Sequence, residues 1–343
     1  MSKLDDVIKD INKKFKSDIA TVGPRVFDVE KVPMSSPRLN YQLYGGLPVG
    51  RLMEFSGDEN GGKTTTALDA VGQFQKKFPD KRVVFIDCEN TLDLAWAKKL
   101  GVNTETLVLI SPDNQTAEEI FDMCLDIIES EEVSLCVLDS IGIMLSSQAY
   151  KKTMEEKTYG GIAAALTLFS KKASNACIRT KCTFIGINQM REDMNSAYGA
   201  LITTGGKAWK HNCSLRLMFR KGDYIDEEGK SINRSSENPA GNLVQCNVVK
   251  SKVFRSDRRV GFYTLNYLEG IDYIADTIDV AIKEGYIIVG GAWYTIVDPE
   301  TGEIATDCEG KAIKIQGKAT VKRFFQENPA WFEELTEALL NKM

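Results

Sequence analysis

Histidine is almost missing from this sequence: His211 is the only one among 343 residues. The eight cysteines do not replace it as metal ligands. The nearest two in sequence, Cys177 and Cys182, have no second pair at ligand spacing, which excludes a structural zinc site of the four-ligand Cys/His kind. Several cysteines sit in apolar runs, as Cys136 does in VSLCVLD, and read as free core residues of a reducing cytosol. No apolar run approaches the roughly 18 residues of a membrane span, so a cytoplasmic protein without a membrane partner is expected. The first residues, MSKLDDVIKDINKKFKS, lack the apolar stretch of a secretory signal. Excess positive charge is missing too. The formal net charge is −5, unlike that of a uniformly basic nucleic-acid binder. Charge is uneven, however: residues 141–220 carry 12 Lys or Arg against 4 Asp or Glu, so an acidic chain can own a basic face.

What remains is an ordinary globular composition, 43% hydrophobic and 27% charged, long enough for one large domain and one or two small ones. Leu4, Val7, Ile8, Ile11 and Phe15 recur at helical spacing. They predict a short helix over residues 3–17, cut off by GPR at 23–25, that needs its own core or a neighbouring subunit to pack on. Strands and helices then alternate. RLMEFSG, VVFIDCE, LVLIS, LCVLDS and CTFIGINQM read as strands. KTTTALDAVGQFQKKF, LDLAWAKKLG (stopped by Gly101) and AEEIFDMCLDIIES read as helices. Such alternation implies a mostly parallel sheet covered on both faces. After residue 210, SLRLMFRKGDYI, GNLVQCNVVKSK and RRVGFYTLNYLEG read as antiparallel strands. A last segment predicts a helix near TIDVAIKEG, a GG-containing hairpin at 290–303 and a final helix.

The strongest chemical signal is GDENGGKTT at 57–65, which fits G-x-x-x-x-G-K-[ST] between a strand and a helix. Backbone N–H groups of Gly57, Asp58, Glu59, Asn60, Gly61 and Gly62 can wrap phosphate oxygens, and the following helix N-terminus favours them. Lys63 can reach the β and γ phosphates, and the Thr64 hydroxyl, with Thr65 beside it, can ligate Mg²⁺. Asp139 ends the strand LCVLD, where a carboxylate can orient the metal. Glu89, after VVFIDC, can polarise an attacking water or simply start the next loop. Trp96, three residues after Asp93, can share its helical face; an indole there stacks on adenine or merely packs.

The ordered stretches GGLPVGRLMEFSG, GDENGGKTT, FIDCENTLD, WAKKLGV, LCVLDS, INQMRE, TTGGKAWK, VVKSK, EGID and GAWY together resemble the bacterial RecA recombinase family over nearly the whole chain. The resemblance implies an α/β fold: a RecA-like P-loop NTPase core with a mostly parallel central sheet at 33–270, an N-terminal helix and linker at 1–32 that packs on the adjacent protomer, and a small α+β C-terminal domain at 271–343 associated with duplex DNA capture. It implies ATP and Mg²⁺ as cofactors. Glu89 becomes the water-activating glutamate, Asp93 and Trp96 the adenine contacts, and Asp139 with its neighbour Ser140 the Mg²⁺-associated pair. Gln189 becomes the γ-phosphate sensor, and Lys250 and Lys252 reach the neighbour's ATP. Period-two alternation in VVKSK turns both lysines to one side.

Two DNA loops are implied at 147–161 and 190–208. The first offers Lys151, Lys152 and Lys157. The second offers Arg191, Tyr198, Gly205, Gly206, Lys207 and, nearby, Lys210, the glycines permitting close backbone approach. Departures from the family are Ala165 where an arginine is expected, with Lys172 keeping charge nearby, a second loop one residue short, and the ending NKM in place of an acidic tail. The implied function is a DNA-dependent ATPase that forms helical homo-oligomeric filaments on single-stranded DNA and exchanges strands with duplex DNA. A recombination mediator or single-strand binding protein is a further candidate partner. The competing readings are a ring-forming helicase-type ATPase, against which VVKSK and the small terminal domain speak, and a non-catalytic recombinase paralogue, against which Glu89 and Gln189 speak.

Overall fold

The computed structural model describes residues 3–15, 29–152, 161–192, 201–233 and 235–342. The chain divides into two units, Met1–Glu30 and Lys31–Met343. The first holds α1 (Lys3–Phe15), with Asp5 and Asp6 in its first turn and Lys13 and Lys14 in its last, the charge order that suits the helix dipole. Leu4 and Val7 on its apolar stripe are 65% and 50% exposed.

The second unit opens with a short strand, Lys31–Val32, which pairs with Leu47–Pro48, and with α2 (Pro37–Gln42) between them. It continues through β1 (Leu52–Gly57), α3 (Lys63–Lys77), β2 (Arg82–Asp87), α4 (Leu94–Lys99), β3 (Leu107–Ile110), α5 (Ala117–Glu129) and β4 (Val133–Asp139). Then come α6 (Ala163–Thr180), β5 (Thr183–Glu192), α7 (Gly206–Asn212), β6 (Leu215–Ile225), β7 (Gly241–Ser251) and β8 (Val260–Asn266). The last elements are α8 (Tyr273–Glu284), β9 (Ile287–Gly290), β10 (Trp293–Ile296), β11 (Lys314–Gln316), α9 (Lys318–Glu327) and α10 (Pro329–Asn341).

Among the described residues the main sheet has 11 strands, in the order Gly270–Ile271, β8, β7, β6, β1, β5, β4, β2, β3, with two short strands off this path. The six from β6 to β3 are mutually parallel. The other three run antiparallel. Both faces are covered, so the central strands Leu52–Gly57 and Val133–Asp139 are buried along their whole length. Alternation still sorts their side chains: Val83, Phe85, Leu135 and Val137 join the core beneath α3, while Val84, Ile86, Cys136 and Leu138 join the one beneath α5 and α6. Thr116 and Glu119 close a capping box at the start of α5, which satisfies N–H groups that helix geometry leaves open.

The C-terminal elements bury their own cluster, including Ile278, Ile287, Ile296, Val321, Phe325 and Leu335. Two details differ from the sequence expectation. Gly290 ends β9 and pairs with Trp293, so the turn lies at 291–292 and the hairpin's first strand begins before residue 290. The final helix is two, α9 and α10, because Pro329 lacks an N–H to continue α9 and instead opens α10. All eight cysteines are free; six are buried, Cys88 is half-buried and Cys308 is exposed.

Candidate nucleotide site and nucleic-acid interface

The phosphate loop, Glu89, Asp139 and Gln189 come from four different strands, β1, β2, β4 and β5, which are neighbours in the sheet. All four lie at or just beyond the carboxyl ends, the edge where open parallel sheets bind ligands. The register fixes this: Gly57 pairs with Gln189, and Asp87 with Asp139.

The loop is held tightly from beneath. Gly57 and Gly62 have φ of 149° and 99°. A Cβ would stand 2.1 Å from the Phe219 carbonyl oxygen at the first and 2.7 Å from Val244 Cγ1 at the second, so only glycine lets the backbone follow this path. The Thr66 hydroxyl meets buried Tyr263 Oη at 2.9 Å and ties α3 to β8. Lys63 Nζ donates to the carbonyls of Gly57 at 3.1 Å and Asp58 at 2.6 Å. Burial lowers the pKa of Lys63, opposed first by Asp139. Thr64 Oγ1 donates to Asp139 Oδ2 at 2.7 Å. Burial pushes Asp139 up to about 6, the Glu89 and Asp87 carboxylates adding to it and the Thr64 hydrogen bond opposing it. A hydroxyl and a carboxylate side by side are hard oxygen donors of the kind Mg²⁺ accepts from protein, one or two at a time.

A cavity of about 500 Å³ runs from Asn60, Gly61, Gly62, Lys63, Thr64 and Thr65 to Trp96. Trp96 is half-buried and also packs against the core beneath α3, so its two candidate roles are compatible. Asp93 departs from the expected shared helical face. It is the N-cap of α4, and its Oδ1 accepts from Ala95 N at 2.8 Å and Trp96 N at 3.1 Å. The far wall was not foreseen: Lys221, Tyr224 and Asn242 from β6 and β7, with Pro239, Leu265 and Tyr267. Tyr267 Oη donates to Asn242 Oδ1 at 2.8 Å; its place in NYLEGID was the available signal. A larger cavity of about 770 Å³ lies between α3 and the C-terminal helices and contains none of the phosphate-loop residues.

Glu89 Oε1 accepts from Ser140 Oγ at 2.7 Å and from Gln189 Nε2 at 3.2 Å. The turn that carries Glu89 is set by Asp87, whose oxygens take the N–H of Glu89 at 3.1 Å and of Leu92 at 2.9 Å. Asp87 stands two residues before Glu89 at a strand end, a pattern sequence reasoning passed over.

Lys250 and Lys252 lie at the opposite edge. Lys250 pairs with Arg216 on β6, whereas Phe219 on β6 pairs with Gly57. At roughly 3.3 Å per residue, about 10 Å of strand separates the two levels. The ammonium groups do fall on one side: Lys250 Nζ donates to the carbonyls of Lys210 and His211, each at 2.7 Å, and Lys252 Nζ to that of His211 at 2.7 Å. Burial, and then the Lys252 charge, lowers the pKa of Lys250.

Of the DNA-loop candidates, Lys157 and Tyr198 lie outside the described residues. Lys151 caps a short helix, Ser147–Tyr150, and Lys152 follows it. Arg191 Nη2 donates to the Gly142 carbonyl at 2.7 Å, joining the roots of the two loops. The second loop is closed at its base by pairing of Met190 with Thr203 and Arg191 with Ile202. Gly205 has φ of 107° and starts α7. A Cβ there would stand 2.2 Å from Leu166 Cδ2, so the close approach this glycine permits is to α6. Gly206, Lys207 and Lys210 follow on α7. Lys172 lies on α6, in a groove it shares with Asp122, Asp126, Glu129 and Arg179.

A further network was invisible in sequence. Glu54, fully buried, accepts from Asn188 Nδ2 at 3.0 Å, Trp209 Nε1 at 2.7 Å and Arg216 Nε at 2.5 Å. Asn188 Nδ2 also donates to the Thr204 carbonyl at 2.9 Å. β1 is thereby tied to both ends of the second loop.

A phosphate loop at the carboxyl edge of a parallel sheet, with a strand-end Asp beside its threonine, defines a P-loop NTPase with a RecA-like core. The comparisons place it further. Residues 2–272 match the model of the RecA N-terminal domain. The chain is 32% identical over 345 residues to Protein RecA of Streptomyces rimosus, spanning 99% of this chain and 85% of that one. It is 32% identical over 331 residues to Protein RecA of Leptospira meyeri, spanning 95% and 79%. The chain belongs to the RecA family. Among the described residues no helix is long and apolar enough to cross a membrane.

Proposed function

We propose that this protein is a DNA-dependent ATPase that assembles into helical filaments on single-stranded DNA and promotes homologous pairing and strand exchange with a duplex. The observation that carries this reading is the hydrogen bond between Gln189 Nε2 and Glu89 Oε1 at 3.2 Å. It joins the water-activating carboxylate to the strand that runs straight into the second candidate DNA loop.

The residues fit ATP and Mg²⁺. The glycine loop, packed tightly on Phe219 and Val244 beneath it, can turn its backbone N–H groups to phosphate oxygens, and Thr64 with Asp139 supplies the hard oxygen pair. Bound Mg²⁺ supplies charge neutralisation at the β and γ phosphates. Lys63 adds a positive charge, released from its two carbonyl partners. Trp96 and Tyr267 offer rings in the lining of the same cavity, where adenine can sit, with Asp93 capping the helix that carries Trp96. Glu89 accepts the proton of the attacking water.

Lys250 and Lys252, at the far edge of the sheet, complete a neighbouring protomer's site in this reading. The exposed stripe of α1 offers that neighbour a packing surface. Lys151, Lys152, Arg191, Lys207 and Lys210 neutralise backbone phosphates, which gives little sequence preference; homology is then read by base pairing. The domain limits adopted are 1–32, 33–270 and 271–343.

The test is strand exchange by the pure protein between circular single-stranded DNA and a homologous linear duplex, with ATP and Mg²⁺. Joint molecules are expected, together with ATP turnover stimulated by single-stranded DNA. Nucleotide binding without either outcome would reject the proposal.

A further inference from the structure

Consecutive residues at the end of β4 face different partners. Asp139 meets the Thr64 hydroxyl at 2.7 Å, and Ser140 meets Glu89 Oε1 at 2.7 Å. Ser140 is 1% exposed. A buried hydroxyl needs a partner, and this one takes a carboxylate from the loop after β2 rather than a carbonyl of its own loop. The second donor to Glu89, Gln189, is longer at 3.2 Å and sits where β5 leaves the core for the second loop. The backbone of Glu89 is fixed separately by Asp87. The Ser140 hydroxyl is thus the shorter restraint on the Glu89 side chain.

We propose that Ser140 is a positioning residue for Glu89, holding Oε1 so that Oε2 is presented to the attacking water. The inference rests on Glu89 being the base. A carboxylate oxygen has two lone-pair sites, and on Oε1 both have donors. Among the described residues Oε2 has no hydrogen-bond donor. In the chemical step the bond from the water oxygen to the γ phosphorus forms as the bond to the β–γ bridging oxygen breaks. The water proton passes to Oε2 and later to solvent, and ADP and phosphate leave. Without Ser140 the carboxylate regains rotamer freedom and is restrained by Gln189 alone, which must also answer to the DNA loop.

The test is steady-state ATP hydrolysis on single-stranded DNA by Ser140→Ala, Ser140→Thr, Glu89→Gln and the double variant Ser140→Ala/Glu89→Gln. Ser140→Ala is expected to lose on the order of ten- to a hundredfold in kcat, the scale of a misplaced catalytic group. Its KM for ATP should stay within about twofold, since ground-state binding is untouched. Ser140→Thr, which keeps the hydroxyl, should recover most of the rate. Ser140→Ala should subtract nothing further once Glu89 is Gln, because the two act as one unit. Ser140→Cys, close in shape but a weak donor, gives the same comparison should the alanine variant fail to fold. Wild-type kcat in both the Ala and Cys variants would overturn the proposal. So would KM rising in step with the loss, or an equal further loss in the Glu89→Gln background. Normal turnover by Glu89→Gln would instead remove the base reading itself; a dead Glu89→Gln beside a normal Ser140→Ala removes only the role of Ser140.

Discussion

Lys250 and Lys252 share an acceptor: each donates to the carbonyl oxygen of His211 at 2.7 Å. Two ammonium groups on the last turn of α7 satisfy carbonyls that helix geometry leaves open. Their own repulsion is part of what lowers Lys250. The pair is held away from the chain's own phosphate loop.

That placement predicts complementation. The Lys250→Ala/Lys252→Ala protein should bind nucleotide but lose DNA-stimulated hydrolysis, and Lys63→Ala should lose phosphate binding. Mixed together, some interfaces would combine an intact loop with intact lysines. Partial hydrolysis should return, peaking at intermediate ratios. Labelled subunits would report co-assembly; co-assembly without any recovered activity would remove the shared-site model.

Gln189→Ala should separate two rates. The variant loses the 3.2 Å contact to Glu89 while Ser140 retains its own. Basal hydrolysis should therefore fall less than DNA-stimulated hydrolysis. Measuring both across a single-stranded DNA titration decides it, and equal stimulation of variant and parent would refute the coupling.

Asp276 links stability to pH. It is fully buried at the start of α8, accepting from the Ser36 hydroxyl at 2.5 Å and from Thr264 N at 3.0 Å. Burial raises it to about 7 despite Arg38 at 3.8 Å. Because the folded chain holds this proton more tightly than the unfolded one, its contribution is complete below the unfolded value, about 4. It is lost as pH rises toward about 7. Asp276→Asn should flatten the dependence of unfolding free energy on pH between these limits. Urea titrations across that range would show it, and an unchanged slope would count against the assignment.

Arg216→Ala should destabilise by about 3 kcal/mol, because it leaves the buried Glu54 carboxylate without its cation. The Trp209 and Asn188 donors keep the loss near the lower end of that range. Glu54→Gln/Arg216→Met, which removes both charges, should cost less than Arg216→Ala alone. Chemical unfolding of the three proteins provides the comparison.

Sequence alone determined what depends on local pattern. The glycine and lysine spacing in GDENGGKTT, the buried strand that ends in Asp139 and the alternation of Lys250 and Lys252 are properties of short segments. Strand and helix periods and phosphate-loop chemistry act within a few residues, so these were legible without coordinates. Only the tertiary structure decided which strand ends lie side by side. Ser140 and Gln189 converge on Glu89, and Tyr267 lines the same cavity as Trp96, because strand order carries residues far apart in sequence to one edge. The same register takes Lys250 and Lys252 to the other edge, and it gives the Gly205 close approach to Leu166. Burial, which raises Asp139 and Asp276, exists only once the layers are packed. No local window contains the neighbours that exclude the water.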